Sequence, residues 1–180
     1  MIKSGLENIY TVSARYPKYK VILTPIIGGL FSIFTALFVI VPVQIEKIFN
    51  IPNLWSSPVN YIISAPLILT GILLMLWTSL IFFMTRGTPV PVNPPPHLVV
   101  KGPYKYIRNP MHGGMFLLMF GCGIYYSSIL SILIFMPIYI YFDIFILKKI
   151  EEPELEKRLG KSYIEYKKNT PMFFPRIKKR

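Results

Sequence analysis

Arg108-Asn109-Pro110 and, about forty residues on, Glu151-Glu152 are the residues of this chain whose types and spacing could do chemistry. Asn is a favoured N-cap, and proline at a first helical position has its φ preset and no N–H to leave unsatisfied, so the triplet predicts a helix start. A helix start offers free backbone N–H groups and positive potential. Gly113 and Gly114, in its first turn, would let a ligand approach that backbone. A pair of carboxylates can accept hydrogen bonds from hydroxyls or counter a cation. Brought together, these groups would make a pocket for a charged, hydroxyl-bearing small molecule. Held apart, Glu151 and Glu152 are a solvated charge run balanced by Lys148 and Lys149.

The helix start closes a loop, Val99 to Gly114, that holds two Pro, three Gly, two Tyr and three basic residues between two apolar runs. Its lead-in, with Pro89, Pro91, Pro94, Pro95 and Pro96, cannot be helix and reads as extended, semi-rigid backbone. The elements around it are membrane spans. With 53% apolar residues, 15% aromatic, 16% charged and a positive mean hydropathy, a chain of 180 residues is too apolar for a soluble domain. Residues 21–43 and 61–85 are long enough to cross a hydrocarbon core. The first is longer than a signal-peptide core and no small-x-small cleavage site follows it, so it reads as a retained span. Pro110 to Leu147 would reach about 57 Å as one helix, roughly twice the bilayer core, and must fold back. Ser127-Ser128 is its most polar point, which places spans at 110–126 and 129–147, with Pro137 as a candidate kink. The expected fold is therefore all-α: a polytopic transmembrane helix bundle of about four spans with short C-terminal cytoplasmic helices, forming a single domain over residues 1–180. Pro153 is expected to restart a helix after Lys148 and Gly160 to close it. Ser162-x-x-Glu165 has the capping-box spacing for one more.

Nineteen of the twenty basic residues fall in the N-terminal segment, the second loop and the C-terminal segment. By the positive-inside rule these three regions face the cytoplasm. The +12 charge is thus topological and argues against nucleic acid as a partner. One cysteine, Cys122, excludes an internal disulfide, and with only His97 and His112 beside it no metal site is expected. The expected setting is an integral, multi-pass protein of a prokaryotic cell membrane with both termini cytoplasmic.

Gly102-Pro103-Tyr104-x-x-x-Arg108-x-Pro110, then Glu151-Glu152, then Leu159-Gly160-x-x-Tyr163-x-x-Tyr166 and a closing Pro175-Arg176 resembles the membrane methyltransferases of the isoprenylcysteine carboxyl methyltransferase and phospholipid methyltransferase group. The resemblance covers roughly residues 87–176. Asn109-Pro110-Met111 and Glu151-Glu152-Pro153 look like the phospholipid side of the group; isoprenylcysteine enzymes typically have His in place of Asn109 and Tyr in place of His112. The resemblance implies an S-adenosylmethionine-dependent enzyme acting on a lipid-like or prenylated acceptor, a carboxylate or an amine, at the cytoplasmic face. It implies a cofactor site within residues 99–176, with Lys101, Gly102, Tyr104, Arg108, Asn109, Pro110, His112, Gly113, Gly114, Glu151 and Glu152 as contacts. Arg108 or Arg176 would orient an anionic acceptor.

Methyl transfer from a sulfonium is an in-line displacement, so alignment and exclusion of water can supply much of the acceleration. Asp143 is the one acidic residue inside a span and is a functional candidate on that ground. Counted along an unbroken α-helix it stands roughly 80° from Glu151. Its alternative is a carboxyl buried against a neighbouring helix. Tyr104, Tyr106, Tyr163 and Tyr166 are candidate pocket walls, and His97 reads as loop packing. Two other functions remain open: a sterol-reductase-like membrane oxidoreductase using a nicotinamide cofactor, and a non-catalytic membrane scaffold.

Overall fold

The structure is a computed structural model that describes residues 17–55, 57–85, 87–88 and 95–175, with side chains from residue 22 onward. Five helices follow one another: α1 (Pro17–Ile48), α2 (Val59–Met84), α3 (Pro110–Tyr125), α4 (Ser131–Leu159) and α5 (Lys161–Asn169), with a 3₁₀ turn at Gly102–Lys105 before α3. No strand occurs among the described residues. The protein is an all-α membrane bundle. Helices α1, α2 and α4 are long and apolar enough to cross a bilayer, while α3, at 16 residues, is short for a span.

Polarity is inverted relative to a soluble protein. Leu69, Leu73, Leu76, Leu80 and Phe83 of α2 are exposed, whereas Asn60, Ser64 and Thr78 of the same helix are buried. An apolar exterior belongs against hydrocarbon, and the buried donors find acceptors within the protein: Thr78 Oγ1 donates to the Leu74 carbonyl, and Asn60 Nδ2 to that of Tyr125, while Asn60 Oδ1 is left without a partner. Small residues bring α2 and α3 together. A Cβ on Gly71 would lie 2.6 Å from the Gly114 carbonyl oxygen, and one on Gly121 would lie 2.7 Å from Ile68 Cγ1.

The turn expected at Ser127-Ser128 is present, with Ser127 at φ +53°. The Ser128 hydroxyl accepts from the Ser131 amide, and Glu46 of α1 accepts from the Leu130 amide at 2.7 Å, so two side chains satisfy the start of α4. Glu46 can do this because α1 continues past Val43 to Ile48, five residues beyond the expected span. Thr35 and Tyr139, hydrogen bonded at 3.0 Å, tie α1 to α4 within a ring cluster that includes Phe34 and Phe38.

The helix start at Asn109-Pro110 is where it is expected, but one boundary and two caps are corrected. Pro153 does not restart a helix, because α4 runs unbroken through it. The helix absorbs both of its prolines with π turns, Ser131–Phe135 ahead of Pro137 and Leu147–Glu151 ahead of Pro153. Widening the turn before a proline relieves the clash with the preceding carbonyls and replaces the bond that proline cannot donate. Asn109 stands at the N-cap position of α3, but its side chain makes no capping bond. The capping box does not form either: α5 begins at Lys161, and the Ser162 hydroxyl donates back to the Leu159 carbonyl at 2.7 Å. Gly160, at φ +60°, makes the turn between α4 and α5 as expected of a closing glycine.

Candidate active site

Arg108 is the residue that ties this end of the bundle together. Its Nη1 donates to the carbonyls of Lys167 and Thr170 at 2.9 and 2.6 Å, which caps the C-terminus of α5. Its Nη2 pairs with Glu152 Oε1 at 2.7 Å. Lys167 Nζ meets the other Glu152 oxygen at 2.7 Å and Glu156 at 2.8 Å. Both hydrogen bonds raise the Lys167 ammonium above the ordinary lysine range, so it stays charged. Backbone bonds run parallel to these contacts: the Arg108 and Asn109 amides donate to the carbonyls of Pro171 and Met172. The segment after α5 is thereby laid across the start of α3, and Phe173 packs on Phe116.

Glu151 points the other way. It lines a cleft at the end of the bundle where α2 stops, α3 starts and α4 gives way to α5. The cleft encloses about 870 Å³ counted out to the open solvent at its mouth. One wall carries Tyr104, Asn109 and His112, the opposite one Glu151, Leu155 and Arg158, and the far end Tyr163 and Tyr166. Val99 and Leu98 close it from the loop side. Arg158 holds the proline-rich lead-in against α4 by donating to the Pro95 carbonyl at 2.9 Å while its Nε pairs with Glu154. Tyr166 Oη donates to the Tyr104 carbonyl at 2.6 Å, and the Tyr104 ring lies on Phe82. Burial pushes the phenols of Tyr104 and Tyr163 far above the tyrosine range and that of Tyr166 up to about 12, so all three are neutral at physiological pH.

The π turn at Leu147–Glu151 decides which side chains share this wall. Eight residues separate Asp143 from Glu151, and an unbroken α-helix would set them roughly 80° apart. A π turn absorbs about one residue, which reduces that offset to roughly 20°. Asp143 sits behind the wall and accepts from or shares a proton with His112 Nδ1 at 2.9 and 3.1 Å. The His112 side chain is 24% exposed and lines the cleft, whereas that of Asp143 is 8% exposed and does not.

Of the residues singled out in the sequence, the cleft therefore gathers Tyr104, Arg108, Asn109, His112, Glu151, Tyr163 and Tyr166. The others lie elsewhere. Both oxygens of Glu152 are engaged by Arg108 and Lys167. Pro110 is fully buried, Lys101 is exposed, and Gly102, at φ +54°, packs on Ile81 and Trp77. Gly114 is in backbone contact with α2, and Gly113 faces open space. Arg176 lies outside the described residues. Leu155 and Arg158 went unnoticed in the sequence, although Glu154 and Arg158, four apart, are a legible helical ion pair. His97, read as loop packing, lines the cleft.

A helical bundle with a lipid-facing exterior and a polar, aromatic-walled cleft at one end is a polytopic membrane protein with a small-molecule site. The family model described as phospholipid methyltransferase matches residues 59–162, more than half of the chain, and the chain belongs to that family. Membership implies a membrane methyltransferase. No curated protein matches the chain significantly.

Proposed function

We propose that the cleft binds S-adenosylmethionine and that the protein methylates a membrane-embedded acceptor, the amine of a phospholipid headgroup, at the cytoplasmic membrane face. The observation that carries this reading is Glu151, a carboxyl on the cleft wall that makes no hydrogen bond or ion pair with any described residue. An acceptor group without a partner in a cleft suits a ligand that brings positive charge and hydrogen-bond donors. Two donors are also without partners there: Asn109 Nδ2 and Arg108 Nε are buried and unpaired. These fit the acceptor atoms of an amino-acid carboxylate or a purine, and the rings of Phe82 and Tyr104 fit an aromatic base.

When bound, the sulfonium supplies an electrophilic methyl group. The protein's part is to hold and align. Glu151 meets donors of the cofactor, Asn109 and the Arg108 Nε meet acceptors, and Leu155, Leu159 and Val99 keep water from the reacting atoms. Arg108 acts mainly through the network that fixes α5 over the cleft. The cytoplasmic assignment rests on the distribution of basic residues, since the cleft lies at the end of the bundle shared by the second loop and the C-terminal segment. A phospholipid acceptor agrees with the family and with Asn109-Pro110-Met111. The oxidoreductase alternative draws no support from the described residues of the cleft, among which Arg108 is paired with Glu152 and Arg158 with Glu154.

Calorimetry on the protein in lipid nanodiscs tests the reading. S-adenosylmethionine is expected to bind, and Glu151→Gln to weaken binding about tenfold or more, as loss of a charge-assisted hydrogen bond does. The unfolding midpoint should stay unchanged, because Glu151 ties nothing together. Unaltered affinity in the variant would remove Glu151 from the site, and no binding by the folded wild type would remove the cofactor.

A further inference from the structure

We propose that His112 takes the proton from the acceptor amine and that Asp143 is the positioning residue that prepares it to do so. The proposal rests on the amine-acceptor reading above. An amine headgroup is an ammonium at neutral pH and has no lone pair to attack with, so one proton must leave before transfer. A carboxylate acceptor would need no such group.

The geometry supplies the group. An ionised Asp143 only accepts hydrogen bonds, so its two contacts with Nδ1, at 2.9 and 3.1 Å, put the proton on Nδ1 and leave the lone pair on Nε2. Nε2 is then the ring atom available to a ligand. The ring belongs to the cleft wall while the carboxylate is buried behind it, which is the order of a base and its orienting group. A pair that served only to join α3 to α4 would have no reason to put its titratable ring on the open side.

The step balances as follows. The ammonium N–H gives its proton to Nε2, and the N–H electrons remain on nitrogen as the lone pair. That pair forms the new N–C bond to the methyl carbon while the electrons of the S–C bond stay on sulfur as a neutral thioether. The imidazolium, held by Asp143, returns its proton to water at the mouth of the cleft.

Two experiments on the full chain in nanodiscs test this. In the first, phosphatidylethanolamine is the acceptor, and His112→Gln should lower kcat about 100-fold or more. Its adenosylmethionine affinity should stay within about twofold of wild type, and its unfolding midpoint should not move. In the second, no methyl donor is present and the two histidines of the chain carry ¹⁵N. The His112 Nε2 resonance should move when phosphatidylethanolamine replaces phosphatidylcholine, whose quaternary nitrogen has no proton to donate. Asp143→Asn should abolish that response and redistribute the tautomers. An undiminished kcat in His112→Gln, or the same Nε2 signal with both headgroups, would overturn the proposal alone. A wild-type protein that binds adenosylmethionine yet methylates no amine lipid would overturn the acceptor reading and this proposal with it.

Discussion

Glu152→Ala is expected to destabilise the protein by about 3 kcal/mol, because it leaves the Arg108 guanidinium and the Lys167 ammonium without their shared counter-charge. The Arg108 side chain is only 12% exposed, so little water can replace the lost carboxylate, while Lys167, at 35%, can turn outward; this places the cost at the low end for a buried pair. For a chain of this size the loss corresponds to a fall of roughly 6–12 °C in the unfolding midpoint, measured in detergent with and without adenosylmethionine. Cofactor affinity should fall as well, since Arg108 caps α5 and α5 carries Tyr163 and Tyr166 to the end of the cleft. The contrast with Glu151→Gln is the informative part. One glutamate should govern stability and its neighbour ligand affinity, and equal melting behaviour of the two variants would sink that division.

Gly71→Ala should be the most damaging single methyl that can be added to the bundle. The new Cβ would stand 2.6 Å from the Gly114 carbonyl oxygen and 2.7 Å from the Leu118 amide nitrogen, both backbone atoms of α3 that cannot rotate away. Relief requires α2 and α3 to separate, so the expected cost is at or above the usual range for overpacking, about 1–3 kcal/mol. The separation should also displace His112, one turn from the contact, and activity should fall further than the melting temperature alone implies. Gly113→Ala is the matched control: a Cβ there meets nothing within 4 Å, and alanine suits a helix better than glycine. Equal effects of the two substitutions would show that close approach of α2 and α3 is not what positions the site.

Glu151 and Glu152 also mark where reading the chain stops. Their types, and their spacing from Arg108, were enough to mark this region as the chemical one, but adjacent residues on a helix point about 100° apart, and their order in the chain does not say which of the two faces the cleft. Which one depends on the π turn at Leu147–Glu151 and on where α5 lies. Arg108 is a similar case. As a basic residue at a helix start it reads as a ligand contact, whereas in the fold the α5 carbonyls and Glu152 take up its guanidinium. Gly114 read as space for a ligand and proves to be space for α2.

Hydropathy, proline and glycine placement, and the count of basic residues were sufficient for the class of fold, the order of the helices, the Ser127-Ser128 turn and the Gly160 hinge. These follow from interactions with lipid or with the local backbone, which a residue carries with it wherever the chain goes. The pairing of His112 with Asp143, the orphaned amide of Asn109, the shape of the cleft and the division of labour between the two glutamates were decided only by the tertiary structure. They are contacts between residues up to 63 positions apart, as with Pro95 and Arg158, and depend on a helix phase that a single inserted residue in a π turn rotates by about 100°.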